Sequence, residues 1–313
     1  MAAKQRISRK PPPLNKQSAK SEQKTSPEVR GKTAFSSLDW RRIIIRIAMM
    51  FAIMLVVYLS KDAPLVPFAS QQENVGIRSV AVQCSKDYEE ELKRFPGCTP
   101  MKCGRVVFDT LVKRSEVSAL LHIAERGLAL GGSSGGASIL DLHSGALSHG
   151  NAFVNIFKLE EAKNTFTMED FKIYSHVKDK IHAAIANQFG INKKDLFLTY
   201  PTFFSRITAA PPQTIHDEYW HPHVDKETYE SFHYTSLLYL TDYGLHFEGG
   251  RFIFVDKDAN KTVEPRAGRV SAFTSGSENL HHVERVTKGT RYAITVSFTC
   301  DPKYAIKDPT LQR

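Results

Sequence analysis

Hydrophobic positions fall into three regimes along the 313-residue chain. Residues 1–42 hold few large apolar groups and are rich in Lys, Ser, Pro and Gln, the pattern of a disordered tail. Residues 43–59 are then apolar throughout except for Arg46. As a helix those 17 residues would extend roughly 26 Å, enough for a thin bilayer, with Arg46 one turn from the basic edge and able to snorkel. A cleaved signal peptide would start nearer residue 1 and end at a small-x-small site, and a core helix would carry a polar face. Neither feature is present, so a single uncleaved transmembrane helix is predicted over 43–60.

Beyond the anchor the pattern changes twice. Residues 111–128 place Leu111, Val117, Leu120, Leu121 and Ala124 at helical spacing. Residues 170–189 do the same with Phe171, Ile173, Val177, Ile181 and Ile185, started near Met168-Glu169 and stopped by Gly190. From Leu196 onward short alternating runs take over, read as strands at 196–208, 218–225, 232–240, 250–255, 269–273, 281–285 and 290–299. Turn signals such as Pro211-Pro212, Asp242-Tyr243-Gly244 and Lys288-Gly289 separate them. Many short strands, two flanking helices and no β-α-β alternation predict a mainly β (α+β) jelly roll behind the membrane helix. Five segments follow: a tail (1–42), the anchor (43–60), a stem with a Cys-containing segment (61–104), a catalytic domain (105–301, core about 196–300) and a C-terminal tail (302–313). The run Gly131–Gly136 lacks the Gly-Lys-Ser/Thr ending of a phosphate loop and is read as a flexible surface loop.

Charge refines this picture through its location. Eleven Lys+Arg against three Asp+Glu in residues 1–42 account for +8 of the net +9, so the remaining chain is near neutral. A nucleic-acid groove on the folded part is therefore not expected. Basic residues stay cytosolic, which predicts a type II single-pass topology with the folded part luminal, in the endoplasmic reticulum or Golgi. All four cysteines, Cys84, Cys98, Cys103 and Cys300, lie after the anchor and can form two disulfides there. The sequon Asn260-Lys261-Thr262 reads as an exposed turn open to glycosylation.

The candidate chemistry is His223-Val224-Asp225, followed after 55 intervening residues by His281 and ten positions after that by Arg291. On an extended strand, residues i and i+2 point to one side, so His223 and Asp225 can reach one metal. Two imidazoles and one carboxylate form the three-ligand face of a non-haem ferrous site. Such a site keeps a charge of about +1 and favours a dianionic ligand, while Arg291 can bind a second carboxylate with two parallel hydrogen bonds. An α-keto acid meets both demands. His221 and Glu227 would extend the set to half of a cupin motif, but the second half is absent near Pro265–Gly268. His282 is out of register with His281, and His216, His233 and His246 carry no spacing signal.

The runs His223-Val-Asp225, Leu237-Leu-Tyr-Leu240, Glu248-Gly-Gly-Arg-Phe252 and His281 through Arg291 resemble the 2-oxoglutarate- and Fe(II)-dependent oxygenases, in the prolyl 4-hydroxylase branch. The resemblance covers residues 105–301. It implies a double-stranded β-helix, Fe(II) and 2-oxoglutarate with ascorbate as a further cofactor, and hydroxylation of a protein or peptide side chain, prolyl among the options, with release of succinate and CO2. Asp225 fits hydroxylation, because related halogenases leave that position open to chloride. Tyr239 is placed to hydrogen-bond 2-oxoglutarate. Arg291 stands where collagen-type enzymes have Lys, so a collagen substrate is not implied. The competing readings are a catalytically silent luminal scaffold with this fold and a cupin-like metal enzyme.

Overall fold

A computed structural model of the chain describes residues 40–59 and 64–310, with the side chains of 57–59 and His216 left out. The tail expected over 1–42 therefore falls outside the described residues up to residue 39, as do the first residues of the expected stem and the last three of the C-terminal tail. Contacts divide the chain into two compact units, residues 1–61 and 62–313. The described residues of the first form the helix α1 (Trp40–Leu59), whose large apolar side chains are exposed, Ile44 by 60% and Phe51 by 65%. Among the described residues no helix is long and apolar enough to cross a membrane; the side chains of α1 are described only to residue 56.

The second unit is built on strands. In chain order they are β1 (Leu65–Ala69), β2 (Ile77–Val82), β3 (Cys103–Phe108), β4 (Gly132–Ser133), β5 (Ala137–Leu140), β6 (Ala146–Gly150), β7 (Ala152–Asn155) and β8 (Phe197–Thr208). After these come β9 (Tyr234–Tyr239), β10 (Phe247–Glu248), β11 (Phe252–Phe254), β12 (Asn260–Val263), β13 (Val270–Thr274), β14 (His281–Val283) and β15 (Lys288–Thr299). A large sheet runs β2-β3-β13-β9-β15-β8-β5-β6-β4, and a small one runs β1-β12-β11-β14. Two one-turn helices, α2 (Glu91–Arg94) and α5 (Asp225–Thr228), and two long ones, α3 (Arg114–Leu128) and α4 (Met168–Phe189), complete the unit.

Alternation along the strands assigns the two faces of the large sheet. Val106, Leu238, Ile294, Val296 and Phe298 join Leu120, Ile123, Val177 and Ile181 of the long helices in one buried cluster. Their neighbours Val107, Leu237, Tyr239, Phe273 and Ala293 turn the other way and pack with Phe252, Phe254 and Val263 of the small sheet. This follows from the period of two in an extended chain. The space between the sheets is therefore the interior of the jelly roll, and it is there that the candidate ligand His281 lies.

Four expectations change. The stretch read as a stem supplies β1, parallel to β12, and β2, antiparallel to β3. Residues 218–225 form no strand: a 3-10 turn covers Ile215–Asp217, and Asp225 is the first residue of α5. The Gly131–Gly136 run is tied down, because β4 pairs with β6 and Ser133 donates to the buried Asp217 at 2.7 Å. Asn260 opens β12 and is half-buried, with its side chain accepting from the Asp256 amide, so the sequon does not sit on an open turn. The cysteines pair as Cys84–Cys103 and Cys98–Cys300.

Candidate metal centre

His223 is carried to the site by its backbone. Its amide donates to the His281 carbonyl at 2.9 Å and its carbonyl accepts from the His281 amide at 3.1 Å, an isolated antiparallel bridge onto β14. Two residues on, Asp225 turns inward from the start of α5. Its Oδ2 accepts from the Thr235 hydroxyl of β9 at 2.6 Å, and Thr235 lies 2.9 Å from the Ser275 hydroxyl. The other carboxylate oxygen lies 3.7 Å from His223 Nε2 and 3.6 Å from His281 Nε2. One ligand atom from each of the three residues lies within 4.8 Å of the others, and no other such group occurs among the described residues.

Hydrogen bonding sets the state of both imidazoles. His223 Nδ1 is 3.0 Å from the His221 carbonyl and His281 Nδ1 is 2.8 Å from the Asn279 carbonyl. A carbonyl can only accept, so each Nδ1 carries a proton and Nε2 is the nitrogen turned to the centre. His281 is buried between the rings of Phe252, at 4.9 Å, and Phe273, at 4.8 Å. Burial pushes its pKa down to about 4, although the Asp225 carboxylate works against this. The imidazole is therefore already neutral at pH 7, the form a metal needs. His223 differs, with 43% of its side chain exposed. The centre thus has a closed side on β14 and an open side at His223.

Arg291 lies on β15 and is 1% exposed. Its Nε donates to the Gly250 carbonyl at 2.9 Å, while Nη2 is buried with no hydrogen-bond partner. Burial lowers its pKa from the ordinary value, opposed by Tyr239 and Tyr219. Gly250 has φ of +68°, and a Cβ there would meet the Arg291 Cδ at 3.0 Å. Tyr239 is fully buried; its hydroxyl bonds to Ser271 at 3.1 Å and its ring lies 5.4 Å from the guanidinium. The Tyr239 ring face thus lies beside the Arg291 guanidinium, and its hydroxyl, bonded to Ser271, keeps capacity for a second hydrogen bond.

An unpaired buried guanidinium nitrogen is costly unless something binds it, roughly 1–3 kcal/mol or more for a charged group. Two imidazoles, a carboxylate and this nitrogen fit a divalent metal together with a small dianion. The other histidines whose side chains are described do not join them. His221 pairs with Glu218 at 2.8 Å and helps only through its carbonyl, and Glu227 is exposed, which removes the cupin set. His233 is buried 3.2 Å from Glu91. Sequence reasoning passed over Thr235 and Asn279, because a lone hydroxyl or amide in a strand or turn has no spacing to mark it. A cavity of about 520 Å³ beside Arg114, Asp242 and His246 includes none of the three clustered side chains.

Comparison with known proteins places these features. Residues 213–299 match the family model described as the 2OG-Fe(II) oxygenase superfamily. The chain is 53% identical over 285 residues to the 2-oxoglutarate and iron-dependent oxygenase domain-containing protein 3 of Xenopus tropicalis, covering 90% of each. The human protein of that name is 57% identical over 243 residues, covering 77% of this chain and 76% of its own. Human prolyl 3-hydroxylase 2 is 32% identical over 155 residues, which is 44% of this chain and 21% of that one.

Proposed function

We propose that this chain, which belongs to the 2OG-Fe(II) oxygenase superfamily, is a membrane-anchored dioxygenase that hydroxylates a protein side chain, with prolyl the first candidate. The family uses Fe(II) and 2-oxoglutarate. In this reading His223, Asp225 and His281 hold the iron, and Arg291 holds the far carboxylate of 2-oxoglutarate. The observation that carries it is the buried Arg291 Nη2 left without a partner in a chain whose three ligand atoms already converge. The chemistry the bound pair would supply is oxidation by O2, with one oxygen atom going to 2-oxoglutarate as it yields succinate and CO2 and the other to a substrate C–H bond, which becomes C–OH.

The chain's own residues orient and enclose. The carbonyls of His221 and Asn279 hold both imidazoles in the ligating tautomer. Thr235 occupies one Asp225 oxygen and leaves the other for the centre. Phe252 and Phe273 keep water from His281. The exposed flank of His223 is the side from which a peptide can approach. A prolyl side chain is supported by the relative named prolyl 3-hydroxylase 2.

Anchoring through α1, with the second unit in the lumen of the endoplasmic reticulum or Golgi, is supported by the exposed apolar side chains of that helix and the basic residues before it. Two disulfides suit an oxidising compartment. Alkaline extraction of membranes and protease protection test this placement, and release into the supernatant removes it. For the reaction, the full chain is incubated with Fe(II) and 2-oxoglutarate with and without prolyl peptides. Iron-dependent succinate and a 16 Da gain on the peptide are expected. A chain that binds peptide and forms no succinate is a scaffold instead.

A further inference from the structure

The turns that aim His281 and Asp225 are gripped from one place, the segment 84–105. His281 Nδ1 donates to the Asn279 carbonyl, at the end of the 3-10 turn Ser277–Asn279. Arg105 is 3% exposed and donates from Nε to the Asn279 side chain at 2.6 Å and from Nη2 to the Glu278 carbonyl at 3.3 Å. Asp256 fixes the same guanidinium by two bonds of 2.8 and 2.7 Å. The Gly276 amide donates to the Tyr88 hydroxyl at 2.5 Å, and the Ser277 amide donates to Asp87 at 2.6 Å. On the other ligand's side, Lys226 follows Asp225 directly and lies 2.6 Å from Glu91, with both side chains largely buried. The segment is closed by Cys84–Cys103 and fastened to the end of β15 by Cys98–Cys300.

A segment that merely covered a core would place apolar groups there, since buried charges cost several kcal/mol unless they are paired. This one spends buried charges on the two turns beside the candidate ligands. We propose that residues 84–105 are the positioning element of the metal centre: Arg105 acts through Asn279 on His281, and Glu91 acts through Lys226 on Asp225. Neither residue touches the metal. Groups bonded directly to ligating histidines and carboxylates change metal affinity by roughly 10–100-fold when removed, and Arg105 and Glu91 act one contact further out. The inference rests on the reading of His223, Asp225 and His281 as ligands.

The test uses Co(II) as a visible-absorbing stand-in for Fe(II), titrated into the full chain. Arg105→Gln and Glu91→Gln should weaken Co(II) binding by about 10-fold, the low end of what direct partners of ligands show, and shift the ligand-field bands at saturation. Asp87→Ala, at an exposed position, should do the same to a smaller degree and serves where Arg105→Gln does not fold. Asp109→Asn breaks the fully buried pair with Arg269; it should lower the melting temperature and leave affinity and spectrum unchanged. A wild-type chain that does not bind Co(II) removes the ligand reading itself. Wild-type affinity and spectrum in all three variants, or the same shift in Asp109→Asn, removes the positioning role.

Discussion

His223 and His281 are 58 positions apart, yet each donates its amide to the other's carbonyl, and their ring centroids lie 4.4 Å apart. The bridge fixes the placement of both imidazoles through backbone hydrogen bonds. A site arranged in this way binds without first folding a loop, so little ordering entropy opposes the ligand.

Arg291→Leu separates the two halves of the site. Leu removes a buried charge whose Nη2 is unsatisfied but also the donor to the Gly250 carbonyl, so stability should stay within about 1–2 kcal/mol of the wild-type value. Affinity for 2-oxoglutarate should fall about 30-fold or more with the loss of a charged pair, while metal affinity holds. Thermal unfolding and calorimetric titration read the two effects. A large loss of stability with unchanged 2-oxoglutarate affinity would make Arg291 a structural residue.

Gly250→Ala reaches the same guanidinium from behind. The added Cβ meets the Arg291 Cδ at 3.0 Å and Val286 at 2.9 Å, at a φ of +68°. The backbone cost alone is about 1–2 kcal/mol. Weaker 2-oxoglutarate binding with intact metal binding is expected in equilibrium titrations. A variant that binds 2-oxoglutarate normally shows that Arg291 has room to move.

Acid should weaken the fold through His182. Its pKa lies at about 4 against an ordinary 6.5, lowered first by burial and then by Lys193 and Lys178, with Asp179 and a bond to Leu196 opposing. It stacks on Phe298 with Nε2 unpartnered. The unfolded chain binds the proton more readily, so this stability is complete above about pH 6.5 and is lost as pH falls toward 4. Urea unfolding between pH 7 and 5 should show a shallower decline in His182→Gln. His281 keeps part of the slope in metal-free protein. An unchanged slope assigns the effect elsewhere.

Legibility in the sequence followed the range of the interaction. Both long helices were readable from periodicity, and Thr167 with Asp170 caps one and Gly190 at φ +70° ends it. The long strands β8, β9 and β15 were readable too. β1 was not, because Pro67 reads as linker; it is tolerated since β1 lies at the sheet edge, where a missing amide costs no ladder bond. β4 and β10 have two residues each, too few for any alternation. At the site, spacing pointed to the three side chains that the fold brings together, but the reason offered was incomplete. His223 and Asp225 do not share a strand; a bridge and a helical turn bring them to one point. The Arg105–Asn279 contact spans 174 positions, and nothing local to either residue announces it.

The ligand set is tested most directly by anaerobic addition of Fe(II) and 2-oxoglutarate to the wild-type chain, His223→Ala and His281→Ala, followed by visible absorption. The wild type should develop the weak charge-transfer band of a chelated α-keto acid, and both variants should lose the band together with tight iron binding. A band of wild-type intensity in both variants would contradict the assignment of iron to His223 and His281.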